Sequence, residues 1–241
     1  MDPLVELQTV TKNFGSVKAA DDFSMTLARN EALGIIGPNG AGKSTLFNII
    51  TGDIRPDEGR IFFDGHDITN RPPHVRCRMG IGRSYQIPHP FANMTVFENL
   101  LVGAVFGGDL PERECYDHCQ EILIRADLLS KANAMAGTLT LLERKRLELA
   151  RALATRPRVL LLDEIAGGLT EHECCVLVEI IQNIHGDGIS IVWIEHIVHA
   201  LTPVVSRLIV LNFGMKLAEG APAEVMANPE VREVYMGIDT E

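Results

Sequence analysis

Basic residues are scarce: Lys and Arg total 22 against 32 Asp and Glu, and the formal net charge is −10 at pH 7. A nucleic-acid partner needs a Lys/Arg footprint to neutralise phosphates, so none is expected. Long apolar runs are missing as well. No stretch reaches the ~18 apolar residues of a membrane-spanning helix, so no segment is expected to cross a bilayer. The opening MDPLVELQTV is acidic and lacks the apolar core of a secretory signal, so no signal peptide is expected. There is no Ser/Gly/Pro-rich linker and no internal repeat. The 241 residues, 46% of them hydrophobic, suit one large domain or two tightly joined lobes around a substantial core.

Cysteines are few and badly arranged for cross-linking. The five are Cys77, Cys115, Cys119, Cys174 and Cys175. An odd number with an adjacent pair does not make a disulfide framework, and points to a reducing, cytosolic compartment. Cys115 and Cys119 share a helical face with His118 nearby, but no second ligand pair at zinc spacing follows. Packing, rather than a metal, is their expected role.

What is present alternates between strand and helix. LVELQTVTKNFG reads as a strand, and AADDFSMTLARNEALGIIGPNG as a second strand followed by a buried run, Ala32 to Ile36. A continuous apolar run before glycines suits a central parallel strand. A helix follows, broken at Gly52 and Pro56, and then GRIFFDGHDIT as a short strand and turn. From about residue 92 to about 155 the apolar spacing is helical. RVLLLDE is again a buried strand, EHECCVLVEIIQNIH a helix closed by Gly186, ISIVWIEH a strand and RLIVLNFGMKLAEG a hairpin-like pair; from about 214 to 241 the chain ends in a tail. The expected class is α/β, one domain over 1–241 with a helical insertion in its core.

Residues 37–45, GPNGAGKST, match G-x-x-x-x-G-K-[ST] between a buried strand and a helix, the context that gives the motif its meaning. Gly37, Gly40 and Gly42 allow the backbone amides of this loop (with Pro38, Asn39 and Ala41 between them) to wrap a polyphosphate. The helix N-terminus adds positive potential. Lys43 can reach the β- and γ-phosphates, and Ser44, followed by Thr45, can ligate Mg²⁺. Asp163 ends the apolar run of VLLLDE, where ligands bind in open α/β sheets. There it would hold Mg²⁺ through water, with Glu164 placed as general base toward an attacking water.

These residues, in this order and over essentially the whole chain, resemble the ATP-binding subunits of ABC transporters. The resemblance implies a P-loop NTPase fold with a RecA-like core, an antiparallel β subdomain and a helical subdomain, with ATP and Mg²⁺ as its ligands. It implies further roles: Phe14 of TKNFG stacks on adenine, Gln86 of SYQIP meets Mg²⁺ and the attacking water and faces the membrane subunit, and His196 contacts the γ-phosphate. It also places Gly167, Gly168, Leu169 and Thr170 in the loop that crosses a dimer interface. SYQIPHPFANMTVFENLLVGA and EGAPAEVMANPEVREVYMG resemble the branched-chain amino acid importer subfamily. That likeness implies two transmembrane permease subunits, a second ATPase subunit, a periplasmic binding protein, and a place on the cytoplasmic face of the inner membrane. Ile165 stands where the family commonly has Pro, and Thr170 where it has Asn or Asp.

One departure touches the chemistry. The family's signature segment, L-S-G-G-Q, addresses the γ-phosphate of the partner subunit's ATP; here it reads Leu139-Thr140-Leu141-Leu142-Glu143. Thr140 and Glu143 make a T-x-x-E capping box, so the helix start is expected to survive. Leu142, Leu149, Ala150 and Leu153 form the expected apolar stripe; Arg144, Lys145, Arg146 and Arg151 are expected to keep the helix basic. Leu141 and Leu142 put branched side chains where glycines permit close approach, and Glu143 puts a carboxylate near phosphate. The alternative is a regulatory or DNA-repair ATPase of the same superfamily; the absence of heptads between Lys43 and Asp163, and of a second ATPase domain, weighs against it.

Overall fold

The computed structural model describes residues 2–108 and 111–236. They form two compact units: one takes the chain up to Pro73 and again from Ser190, the other spans His74–Ile189. In chain order come β1 (Val5–Phe14), β2 (Val17–Leu27), β3 (Ala32–Ile36), α1 (Lys43–Thr51), β4 (Glu58–Phe63) and β5 (His66–Asp67). The next elements are α2 (Pro73–Met79), β6 (Ile81–Ser84), α3 (Val96–Phe106), α4 (Glu112–Arg125), α5 (Leu141–Ala154), β7 (Val159–Asp163) and α6 (Glu171–Gly186). The chain then returns through β8 (Ser190–Ile194), α7 (Val198–Leu201), β9 (Arg207–Asn212), β10 (Met215–Gly220), α8 (Pro222–Ala227) and α9 (Pro229–Met236).

The first unit carries an antiparallel sheet ordered β2-β1-β4-β5. Along β1, Val5, Leu7 and Val10 are buried while residues between them are not, as expected for strands with one wet face. The turn between β4 and β5 is Asp64-Gly65, both with positive φ, the conformation that matches strand twist in a two-residue hairpin. In the same unit β3 pairs in parallel with β8 and β9, Ile35 lying opposite both Ile194 and Ile209, and β10 runs antiparallel to β9. Every residue of β3 and β8 is buried, which is why their sequences are continuous apolar runs rather than alternations.

In the second unit β6 and β7 are parallel, with Ser84 opposite Leu162. Helices α3, α5 and α6 all begin with a complete capping box: Thr95 with Glu98, Thr140 with Glu143, Thr170 with Glu173. Cys115 and Cys119 are buried on α4, so they pack as expected; among the described residues no cluster of metal-ligating side chains occurs.

Two local expectations change. β9 and β10 form the expected hairpin, but the tail beyond it carries two helices, α8 and α9, with Val225 and Val231 buried, while residues 237–241 lie outside the described residues. Helix α6 ends at Gly186, as expected, and a left-handed glycine follows at Gly188. The basic residues of α5 are in part interior: Lys145 and Arg146 are buried, and Arg146 reaches Asp127 at 2.8 Å. Leu147 joins its apolar stripe, whereas Leu142 is only half-buried.

Candidate active site

In the first unit, β3 leads directly into the loop at 37–42. Two glycines there are enforced by close backbone approach. A Cβ on Gly37 would stand 2.2 Å from the carbonyl oxygen of Leu211, and one on Gly42, whose φ is 103°, would stand 2.0 Å from that of Ala19. Asn39, Gly40 and Ser44 are exposed, so the loop offers its crest to solvent. Lys43 is buried, and its ammonium donates to the carbonyls of Gly37 (2.8 Å) and Pro38 (3.1 Å). Helix α1 begins on left-handed Gly42 with no side-chain cap and no acidic residue in its first turn, unlike the three boxed helices. No carboxylate of its own competes at this helix start, which carries the positive end of the helix dipole.

His196 follows β8. The parallel register of β3 and β8 brings the loop after Ile36 and the turn after Ile194 to the same carboxyl edge of the sheet. The His196 amide donates to Glu195 Oε2 at 3.2 Å, and the amide of buried Glu195 donates to the Ile35 carbonyl at 3.3 Å. Phe14 closes β1, half exposed, with Lys12 Nζ 5.6 Å from its ring centroid and Lys12 tied to Asp57 at 2.7 Å. An exposed ring of this kind has a π-face free for stacking on a base.

In the second unit the parallel register of β6 and β7 sets the exits of both strands side by side, so Gln86 and Glu164 meet. Gln86 Nε2 donates to Glu164 Oε2 at 2.6 Å. Glu164 holds φ 45°, a left-handed conformation that costs a non-glycine residue about 1–2 kcal/mol and is concentrated at functional sites. Asp163 is buried; Arg83 donates to its Oδ2 at 2.7 Å, while its Oδ1 has no hydrogen-bond partner. A buried, unsatisfied carboxylate oxygen at a strand end suits the water shell of a hard cation, so Asp163 fits the Mg²⁺ role.

The two family departures near this site have local explanations. Ile165 is buried in the core, and Thr170 caps α6, its hydroxyl accepting from the Glu173 amide. The loop between them turns at Gly168, φ 77°.

The signature segment keeps its helix start. The Thr140 amide donates to Glu143 Oε2 at 2.9 Å, the Glu143 amide to Thr140 Oγ1 at 3.4 Å, and Lys131 lies 3.2 Å from Glu143 Oε1. Arg144 donates to the carbonyls of Leu139 and Gly137, pinning the approach. The Glu143 carboxylate is thus turned back onto its own chain rather than outward. Leu141 is exposed, and its Cδ2 would be 3.4 Å from a Cβ on Gly168.

The Thr140 amide, helped by Lys131, holds the Glu143 carboxyl below its ordinary 4.5. A depressed carboxyl stabilises the fold above pH 4.5 and loses that contribution as the pH falls through the lowered value. Glu143→Gln keeps an acceptor for the Thr140 amide but has no charge to lose. Its melting temperature should therefore fall less than the parent's between about pH 6 and about pH 3; an equal or steeper fall would show that the box does not carry this term.

Sequence reasoning missed Arg83 and the group around Arg151. Arg151 donates to the His89 carbonyl and to buried Glu148, and lies over the Phe91 ring at 5.1 Å, which ties α5 to the segment after Gln86. The available signal for Arg83 was a charge inside the short strand IGRS, three residues before Gln86.

Comparison with known proteins shows the family. The family described as "ABC transporter" matches residues 20–167, and that described as "Branched-chain amino acid ATP-binding cassette transporter" matches residues 215–240. The high-affinity branched-chain amino acid transport ATP-binding protein BraF of Pseudomonas aeruginosa is 34% identical, covering 98% of each chain. The lipopolysaccharide export system ATP-binding protein LptB of Haemophilus influenzae is 32% identical, covering 97% of each. The crystal structure of the ADP conformation of MJ1267, an ATP-binding cassette of an ABC transporter, superimposes with a TM-score of 0.90 at 32% identity, covering 99% of this chain and 100% of that one. With its phosphate loop, its Asp163-Glu164 strand end and full-length likeness of this kind, the chain belongs to the ABC transporter family of ATP-binding proteins.

Proposed function

We propose that this chain hydrolyses ATP to power an importer of branched-chain amino acids or related small polar or amide solutes, from the cytoplasmic face of the inner membrane. The observation that carries hydrolysis is the 2.6 Å hydrogen bond from Gln86 to Glu164, made where Glu164 leaves β7 in a left-handed conformation. Residues 37–45 wrap the phosphates, Lys43 leaves its carbonyl partners for the β- and γ-phosphates, and Phe14 stacks on adenine. Ser44, Gln86 and Asp163 would hold Mg²⁺, which spreads the charge of the phosphates when bound. Glu164 takes the proton from water as its oxygen bonds to the γ-phosphorus, the bond from that phosphorus to the β–γ bridging oxygen breaks, and His196 supports the γ-phosphoryl oxygens.

In this reading a second ATPase subunit closes over the nucleotide. It supplies its own signature segment to this chain's site, while this chain offers Leu139–Glu143 to the partner's, and Gly167–Thr170 crosses the interface. One site then joins intact catalytic groups to a partner's signature; the other relies on Leu141 and Leu142 and is the weaker.

Coupling to permeases is supported by apolar surface in the second unit. Met94, just before α3, and Leu101, Val102, Val105 and Phe106 on α3, with Glu98 beside them, line an open groove of about 280 Å³, and Tyr85, Ile87 and Phe91 are exposed in the segment around Gln86. Among the described residues no helix is long and apolar enough to cross a membrane, so membrane attachment falls to such docking. Val102→Asp should abolish co-purification with the two permease subunits while leaving nucleotide affinity of the isolated chain unchanged; full co-purification would remove the groove from this role. The binding protein is reached only through the permeases.

Import of amino acids is favoured by the match over residues 215–240 and by relatives such as BraF; the LptB likeness favours a second reading, an ATPase for export. Uptake of labelled leucine, isoleucine and valine separates them. A strain lacking this chain should lose uptake and regain it with the parent sequence but not with Glu164→Gln. Parental uptake in the deletion strain would refute the importer reading.

A further inference from the structure

Arg83 is a charge inside a four-residue strand, paired in register with Leu161 across β6 and β7. Its guanidinium meets Asp163 Oδ2 at 2.7 Å with the two side chains only 7% and 6% exposed, and its Cζ lies 4.8 Å from the ring centroid of Tyr85, the residue before Gln86. A buried ion pair kept only for packing is readily replaced by apolar side chains and normally satisfies every polar atom. This one does not: Asp163 Oδ1 is buried with no hydrogen-bond partner. One guanidinium N–H holds one carboxylate oxygen while Arg83 Nε, also buried, makes no hydrogen bond; the single charge-assisted bond limits the rotation of the carboxylate and so the direction of its other oxygen.

We propose that Arg83 is the positioning residue of the magnesium site, holding Asp163 through Oδ2 so that Oδ1 is presented to the water shell of the cation. This rests on the reading that Asp163 serves Mg²⁺. Groups that orient a metal-binding carboxylate commonly contribute 10–100-fold to metal affinity. The Arg83 charge also repels a cation, and the proposal requires orientation to outweigh that repulsion. The stack on Tyr85 limits the guanidinium's freedom and joins its position to the segment carrying Gln86.

The test uses the full chain with a non-hydrolysable ATP analogue, reading the Mg²⁺ concentration that half-maximally raises the analogue-dependent melting temperature, beside analogue affinity in EDTA. Arg83→Gln should raise the Mg²⁺ midpoint tenfold or more, Arg83→Lys should raise it less, and EDTA affinity should stay within about twofold of the parent. An unchanged or lowered midpoint overturns the proposal, as does an equal loss of affinity in EDTA, which marks a purely structural pair. Should Arg83→Gln not fold, Arg83→Lys decides by the same criterion. Asp163→Asn separates the two levels. If it shifts the midpoint while the Arg83 variants do not, Arg83 alone is misassigned; if it leaves the midpoint unchanged, the Asp163 reading falls and this proposal with it.

Discussion

Glu164→Gln should bind ATP like the parent, hydrolyse it at least about a hundredfold more slowly, and accumulate as a closed dimer in ATP. The substitution keeps side-chain length and an oxygen able to accept from Gln86 Nε2, so the 2.6 Å link and the local loop should persist. It removes the group able to take a proton. The backbone cost at φ 45° is the same for both residues, and the phosphate loop lies far along the chain at 37–45, untouched. Binding and chemistry should therefore separate: equal nucleotide affinity by titration, a collapsed turnover number, and a dimer peak on size exclusion that persists in ATP. Normal turnover would take Glu164 out of the base role and leave water positioning to Gln86 or His196.

The second large effect concerns the signature helix. Leu141→Gly with Leu142→Gly should raise the ATPase rate of the isolated homodimer by about tenfold, some 1.4 kcal/mol of transition-state stabilisation. Thr140 and Glu143 are unaltered, so the capping box remains and the helix still begins at residue 141. What changes is clearance: Leu141 is 45% exposed, at the first helical position, where in the proposed dimer a branched side chain would hold the partner's phosphate away from the backbone. Leucine to glycine weakens a helix by about 0.8 kcal/mol per position, so the double variant should melt a few degrees lower while working faster. A heterodimer whose partner supplies a glycine-bearing signature should gain much less. An unchanged homodimer rate would show that Leu141 and Leu142 do not obstruct the site.

Much of the site was legible because its signals are local. A glycine-spaced loop between a buried strand and a helix, an apolar run ending in Asp163-Glu164, and T-x-x-E at Thr140 each depend on neighbours within a few residues. Burial then followed from the runs themselves: β3, β7 and β8 are wholly buried, as continuous apolar strands require. Local reading failed where side-chain environment is set by distant segments. Lys145 and Arg146 keep the helix basic in the sequence, but the fold buries both, Arg146 being met by Asp127 from the turn after α4.

By itself, then, the sequence determined the phosphate loop, the acidic strand end, the capped signature helix and the family to which they belong. Tertiary structure decided which of these groups touch. Gln86 and Glu164 stand 78 residues apart and Arg83 and Asp163 80 apart, yet each pair is hydrogen-bonded. The cause is the parallel register of β6 and β7, which aligns two strand exits separated by three helices. Parallel pairing of this kind leaves no period in the sequence, because the segments that it joins are held together only by the folded core.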